Sequence, residues 1–341
     1  MTELSPEQRV VVESAEAKFV VTAAAGAGKT RVLVERYLRH VIEEGLRPDQ
    51  ILTITFTKKA AAEMKKRIVG RLREAGMMPE AQIAETGPIQ TIHSFCERLL
   101  RENSLEAGLD PAFEILDEGQ SSRLSLACIR EAIAQDLAET PEAEALIAFL
   151  AGRRQNTRES RSPYSLLESA VEDVLQELRS SPVSYEQTRE RYWNAERLEA
   201  LWESTLVSSL LPDVRLTFEL IEGSDLQDRV QKACREHKLR VPVWARGKRD
   251  GLAEAEALTH TLGLVHLACE AWGRMHAEMS RLQALDFTEL EARAVRLLDN
   301  SEPTRERLKL QYQVVMVDEA QDLNPIQYRL LESLSVAREM L

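Results

Sequence analysis

Ala23-Ala24-Ala25-Gly26-Ala27-Gly28-Lys29-Thr30 sets the fold class, once its two flanks are read with it. Before it runs Phe19-Val20-Val21-Thr22-Ala23, short, apolar and ending in small residues, the pattern of a buried parallel strand. After it, Thr30 to Leu38 carries apolar residues at helical spacing. A glycine-rich turn between a strand and a helix is the setting in which backbone N–H groups cradle phosphate. Gly26 and Gly28 let the main chain turn inward, and the helix that follows adds the positive end of its dipole. Lys29 is spaced to reach β- and γ-phosphates, and the Thr30 hydroxyl to ligate Mg²⁺. The candidate nucleotide-binding residues are Ala23, Ala24, Ala25, Gly26, Ala27, Gly28, Lys29, Thr30 and the adjoining Arg31, with ATP and Mg²⁺ as the implied ligands. The general pattern opens on glycine. Ala23 stands there instead and is small enough for the turn. The plain alternative is a Gly/Ala-rich turn with a surface lysine, and the agreement of loop, lysine, threonine and flanks weighs against it.

Further along, Ile51-Leu52-Thr53-Ile54-Thr55 reads as a second strand, with a helix from about Lys58, and Ile89-Gln90-Thr91 as a third, with a helix through Phe95 and Leu99. This alternation predicts an α/β unit with a parallel sheet. From about residue 105 to 280 strand signals nearly vanish. Helical spacing takes over, as in Leu166-Leu167…Val171…Val174-Leu175…Leu178, punctuated by Pro182, Pro212 and Pro242. Tyr312 to Val317 is again a buried-strand pattern, and Asn324-Pro325 reads as the N-cap and first position of a last helix. The expected organisation is a discontinuous α/β lobe, residues 1–105 and 280–341, interrupted by an all-helical insertion at 106–279.

The returning strand ends in Asp318-Glu319-Ala320-Gln321-Asp322. An apolar strand thus delivers two adjacent carboxylates to its C-terminal end, where open α/β sheets bind ligands. Asp318 is the candidate for holding Mg²⁺ through a water, and Glu319 for general base towards the attacking water. Taken alone, such a tip is often a solvated turn. Joined to the phosphate loop it completes a catalytic set of Lys29, Asp318 and Glu319, and requires that the whole helical insertion loop out and return.

Composition sets few further bounds. The 341 residues carry 44 Lys+Arg against 56 Asp+Glu, a net charge of −12. That balance argues against a histone-like basic coat and leaves room for a local basic groove. Cys96, Cys128, Cys234 and Cys269 are widely spaced, which favours buried thiols over a metal or iron–sulfur site. With no membrane-length apolar run and no signal-peptide pattern at Met1 to Glu7, a cytoplasmic protein without membrane association is expected.

The phosphate loop together with Asp-Glu-Ala-Gln-Asp resembles superfamily 1 DNA helicases of the UvrD/Rep type. Leu4-Ser5-Pro6-Glu7-Gln8-Arg9 resembles their glutamine motif, which implies that Gln8 reads the adenine edge; an amide can pair with both N6 and N7. Thr55-Phe56-Thr57-Lys58-Lys59-Ala60-Ala61 and Thr91-Ile92-His93-Ser94-Phe95-Cys96 resemble motifs that face single-stranded DNA, and Leu285 to Leu290 a segment that precedes the acidic motif. The resemblance implies a RecA-like P-loop NTPase lobe of an ATP-hydrolysing DNA helicase. The length of the insertion and Thr-Ile-His-Ser-Phe-Cys look more like the helicase–nuclease proteins AddA or RecB than a short UvrD, with AddA favoured. An AddB- or RecC-like partner subunit follows from that likeness.

By the same likeness Thr55, Phe56, Thr57, His93 and Phe95 are DNA-facing. Phe56 and Phe95 read equally well as core, His93 as a structural hydrogen-bonding residue, and Thr55 as a helix cap. Two basic clusters in the insertion are candidate duplex contacts, and read equally as solvated faces. One is Arg153, Arg154, Arg158 and Arg161. The other runs from Arg229 through Lys232, Arg235, Lys238, Arg240, Arg246, Lys248 and Arg249, with Trp244 inside it. The helicases it resembles use a second lobe, which supplies arginines, and a separate nuclease domain. Neither pattern occurs here, so the expectation is a piece or truncated copy of a longer protein that binds nucleotide but turns over slowly alone. The competing reading from another class is a non-catalytic nucleotide- or DNA-binding module acting through partners.

Overall fold

The computed structural model describes residues 4–14, 20–22, 26–137, 140–156, 161–181, 183, 185–192, 196–197, 200–201, 204, 208, 210–221, 226–242, 251–334 and 339–340. The chain forms two compact units. The first holds residues 1–117, 180–182 and 280–341, and the second 118–179 and 183–279. No helix among the described residues is long and apolar enough to cross a membrane.

The first unit is built on a parallel sheet of order β2-β1-β5-β6, with β1 Ile51–Thr55, β2 Ile89–Thr91, β5 Val314–Val317 and β6 Glu339–Met340. In β1 every position is buried, as expected for a strand with helices on both faces. Its side chains alternate between two cores. Leu52 and Ile54 pack with Phe95, Leu99, Leu290, Ile326 and Leu330. Ile51, with Val314 and Met316 of β5, packs with Tyr37, Met64, Ile68 and Leu72. The helices supplying the second core are α2 Lys29–Ile42, α3 Lys58–Glu74 and α4 Met78–Thr86. Those supplying the first are α5 Ile92–Glu102, α14 Phe287–Asn300, α15 Glu302–Gln311 and α16 Pro325–Leu334.

Four strand-to-helix junctions are closed by capping side chains, which satisfy amides that the first helical turn leaves free. Thr57 Oγ1 accepts from Ala60 N (3.0 Å), Thr91 Oγ1 from Ser94 N (3.2 Å), Asp286 Oδ1 from Glu289 N (2.9 Å) and Asn324 Oδ1 from Gln327 N (2.8 Å). Pro325 takes the first helical position, as its fixed φ favours.

Two sequence expectations need correction. Of the strand expected at 19–23, Phe19 and Ala23 lie outside the described residues, and Val20 to Thr22 form no strand; Val20 is 87% exposed. The flank of β5 away from β1 is taken by β6, Glu339–Met340, in the place the expected strand would need. The α/β unit also runs to Asp117 rather than 105. After the short α6, Ser104–Ala107, Glu114–Ile115 forms β3, which pairs in parallel with β4, Ala284–Leu285. A two-residue strand carries no periodic signal that sequence could show.

All helical among its described residues, the second unit packs α7 Glu118–Asp136, α8 Pro141–Asn156, α9 Pro163–Arg179 and α13 Gly251–Leu282 around Ile129, Leu167, Val171, Leu175, Leu267 and Trp272. Between them in sequence lies α10, Tyr185–Tyr192. A smaller cluster joins α11, Pro212–Leu220, to α12, Leu226–Glu236, through Val214, Val230 and Ala233. Both basic clusters belong to this unit. Arg158, Trp244, Arg246, Lys248 and Arg249 lie outside the described residues, as do the side chains of Arg153 and Arg154. Lys232 is paired with Asp228 at 2.6 Å, and Arg229 Nε donates to Ile221 O at 2.8 Å. The four cysteines are free and buried.

One buried charge ties α2 to the end of the first helix. Arg36 of α2 has no exposed surface. Its guanidinium donates to the carbonyls of Val11 (2.6 Å), Val12 (3.2 Å) and Ser14 (3.1 Å), at the C-terminal end of α1, Pro6–Glu13. Arg39, almost one turn further along α2, adds a bond to Val12 O at 2.8 Å. Carbonyls at a helix end lack intrahelical partners, and a cation there also meets the negative end of the helix dipole. Arg36→Met is expected to lower unfolding free energy by about 2–3 kcal/mol, since Arg39 backs up Val12 but leaves the Val11 carbonyl without this charged donor. Chemical denaturation measures it, and a midpoint like the wild type's would show that the clamp carries no weight.

Candidate functional site

Gly26 and Gly28 sit at φ of +80° and +85°, the left-handed region that side chains disfavour. At Gly28 a Cβ would also come within 3.0 Å of Gln8 Nε2. That close approach has a purpose visible in the hydrogen bonds. Gln8 Nε2 donates to Ala27 O at 2.9 Å, while its Oε1 accepts from Ser5 N at 3.0 Å and its own N–H donates to Ser5 Oγ. The reciprocal pair with Ser5 is a capping box at the start of α1. Gln8 is thereby docked onto the loop it was expected to serve. Gly28 is the N-cap of α2, so Lys29 and Thr30 open that helix. Ala23, Ala24 and Ala25 lie outside the described residues, and Arg31 sits half-buried in the first turn.

On the facing side, Asp318 N donates to Ile54 O at 2.9 Å, so the acidic segment begins where the ladder with β1 ends. Asp318 is buried, and its Oδ2 lies 3.5 Å from Thr30 Oγ1 while its Oδ1 accepts from Glu319 N at 3.1 Å. Lys29 Nζ and Glu319 Oε2 are 3.1 Å apart, although 290 positions separate them in sequence. Glu319 takes a left-handed backbone, φ +55° and ψ +44°. For a residue with a long side chain this is sparsely populated, and such outliers gather at functional sites. The Gln321 side-chain amide also donates to Glu319.

The two acids are electrostatically unlike. Burial, then the charge of Glu319, raises the Asp318 pKa above the ordinary carboxylate range, only partly offset by the Glu319 amide, Lys29 and Thr30. Hydrogen bonds from Gln321 and then Lys29 lower that of Glu319. Paired carboxylates whose environments push them apart are the usual basis for divided roles. The hydroxyl of Thr30 facing the carboxylate of Asp318 is a hard-oxygen donor set that fits Mg²⁺, which takes few protein ligands and completes its shell with water and phosphate oxygens.

The DNA-facing candidates separate into two groups. Thr55 is buried and its Oγ1 donates to Thr57 O at 3.1 Å, so its hydroxyl is engaged within the chain. Phe95 is 1% exposed and packs against Tyr312, with ring centroids 6.4 Å apart. Both expectations are corrected: Thr55 is the last residue of an all-buried strand, and Phe95 lies on the inward face of an amphipathic α5. Phe56, in contrast, is 53% exposed, Thr57 caps α3, and His93 keeps 36% of its side-chain surface. His93 Nε2 lies 2.9 Å from Glu291 Oε1, and its ring stacks on Phe287 with centroids 4.4 Å apart. Sequence reasoning missed both partners. Phe287 sits inside a motif already noted, and an exposed aromatic beside a helix cap was the available signal. Glu291 gave none, because a single acid in a helix looks solvated until its burial is known.

With this geometry established, comparison with known proteins decides the family. The UvrD/REP helicase N-terminal domain matches residues 4–341. The chain belongs to the UvrD/REP helicase family. Proteins named as the A subunit of an ATP-dependent helicase/nuclease are similar to it. That of Exiguobacterium sibiricum is 28% identical over 98% of this chain and 34% of its own length. That of Desulfitobacterium hafniense is 27% identical over 98% of this chain and 31% of its own, and that of Acetivibrio thermocellus 29% identical over 68% and 18%. The chain thus spans about a third of the length of the relatives that it matches almost end to end. A UvrD/REP lobe uses nucleotide, which agrees with the loop and the acids found together here.

The buried acid of this UvrD/REP lobe gives a signed prediction. With its folded pKa raised, Asp318 holds its proton more tightly in the fold than in the unfolded chain. Its ionised form therefore costs stability above the folded pKa, and the cost fades as pH falls through that value towards the unfolded one. In the nucleotide-free, metal-free chain, Asp318→Asn is expected to melt higher than wild type at neutral pH, with the gap closing as pH drops towards the carboxylate range. Melting curves from pH 7 downward test this, and a gap that stays constant with pH would contradict it.

Proposed function

We propose that this chain is the nucleotide-binding lobe of an ATP-driven DNA translocase, working in a helicase–nuclease of the kind its relatives' names describe. The observation that carries the reading is the closure of Lys29 and Thr30 onto Glu319 and Asp318 from opposite ends of the sequence. A decorative glycine turn has no reason to meet a strand-end acid pair. The activity of the whole protein, a cytoplasmic setting and a partner subunit related to AddB belong to the same proposal, supported by the relatives' names.

In this reading the amides around Gly26 and Gly28 turn towards a triphosphate, and Lys29 exchanges the Glu319 carboxylate for phosphate oxygens. Thr30 and Asp318 would hold Mg²⁺, which when bound supplies positive charge to the phosphate oxygens. Release from Lys29 leaves the Glu319 carboxylate ionised, so that one of its oxygens can accept the proton of the attacking water. Gln8, anchored to Ser5 and Ala27, is the candidate reader of adenine. Phe56 and the stacked pair of His93 and Phe287 are the candidate supports for bases of a single strand, because aromatic faces accept any base.

Lys29→Ala is expected to weaken Mg²⁺-dependent binding of a fluorescent ATP analogue by about ten- to a hundredfold, the size of one lost charge-assisted contact. Its melting temperature should stay close to that of wild type. Affinity unchanged within experimental error, in a variant shown to be folded, would remove the nucleotide site from the account.

A further inference from the structure

Glu291 lies on α14 with only 2% of its surface exposed, yet it belongs to none of the motifs that mark the nucleotide site. A buried carboxylate persists only where donors surround it. Three side chains converge here. His93 Nε2 (2.9 Å) and Gln327 Nε2 (2.7 Å) approach Oε1, and Asn324 Nδ2 (3.2 Å) approaches Oε2. Gln327 and Asn324 are themselves locked by the cap of α16: Gln327 N donates to Asn324 Oδ1, and Asn324 N to Gln327 Oε1. Of the three donors, His93 is the one whose ring stacks on an exposed aromatic, Phe287, which keeps 39% of its own surface.

We propose that Glu291 is a positioning residue for single-stranded DNA, acting through His93. The inference rests on the reading of His93 and Phe287 as base supports. A carboxylate accepts and never donates, so it fixes which ring nitrogen of His93 points inward and holds the ring's rotation. That orientation lays the imidazole face on Phe287 and turns Nδ1 away from the carboxylate. Without the acceptor, the ring is free to rotate off the stack. Glutamine is a poor substitute despite its shape. It replaces one acceptor oxygen with an N–H₂ group, so at least one of the three donors then faces a donor.

The test measures affinity for a fluorescein-labelled oligothymidylate at low salt, with binding of an ATP analogue as the control. Glu291→Gln and His93→Ala should each weaken DNA binding by about tenfold, the value of one well-formed contact. Analogue binding should change less than about twofold, because the nucleotide groups lie elsewhere. The double variant should bind DNA no more weakly than His93→Ala alone. A Glu291→Gln penalty that persists at full size in the His93→Ala background would show a general structural role and overturn the inference. If Glu291→Gln does not fold, Glu291→Asp, which keeps the acceptor but withdraws it by one methylene, is expected to give the same pattern. If His93→Ala or the wild type shows that His93 does not serve DNA, the broader reading falls and this inference with it. If His93→Ala weakens binding while neither Glu291 variant does, this inference alone fails.

Discussion

The parallel ladder between Ile51–Thr55 and Val314–Val317 is the constraint on which the first unit depends. It joins segments separated by most of the chain, and it sets where the acidic motif begins. In a strand apolar on both faces, polarity does not choose the register in the way it does for a half-exposed strand. The ends choose it here. Gln313 N donates to Gln50 O before the strand, and Asp318 N to Ile54 O after it. A shift by one residue would draw Asp318 into the ladder and strand its charge among Ile and Leu side chains. An unpaired buried charge costs more than the burial of any one further apolar side chain could return.

That register delivers two acids to a place where only one can be comfortable. Asp318 is buried and resists ionisation, while Glu319 is held out by a left-handed backbone and stays ionised against Lys29. The Lys29–Glu319 contact sets two opposite charges of the site against each other. Both are partly exposed, so the pair itself adds little to folding. Its meaning is that the ammonium is already aimed into the cleft between loop and strand end. In the proposed function a triphosphate, which carries more charge than one carboxylate, would compete for that ammonium on favourable terms.

Much of this was legible from sequence, because the decisive elements are short and locally encoded. The strands at 51–55 and 89–91, the helix from Lys58 and the Asn324-Pro325 start all depend on residues next to them. The pairing of Lys29 with Glu319 was legible by joining two motifs. What escaped depends on three dimensions. Phe95 and Phe56 are both aromatic and both follow a strand, yet one faces the core and the other solvent. The difference lies in helix phase, since Phe95 falls one turn into α5 and Phe56 lies before its helix begins. Glu291 was invisible for the same reason, since its three donors come from the starts of two other helices. The boundary at 117 rather than 105 rests on a two-residue strand, too short for any pattern to show.

The parallel topology has one more consequence. In such a sheet every strand ends at the same edge, so the residues that follow β2, β1 and β5 lie side by side. Those are His93, Phe56 and Asp318 in that spatial order, because the sheet runs β2-β1-β5. Neighbouring strands are about 4.8 Å apart, so the acid that faces the phosphate loop and the aromatic groups that face outward are separated by roughly one or two strand widths. Asn324 and Gln327, which follow β5, share Glu291 with His93, which follows β2. The segments that follow β2 and β5 are therefore neighbours by topology and joined by a buried carboxylate, and each element needed for that arrangement is held by ordinary caps and ladder bonds.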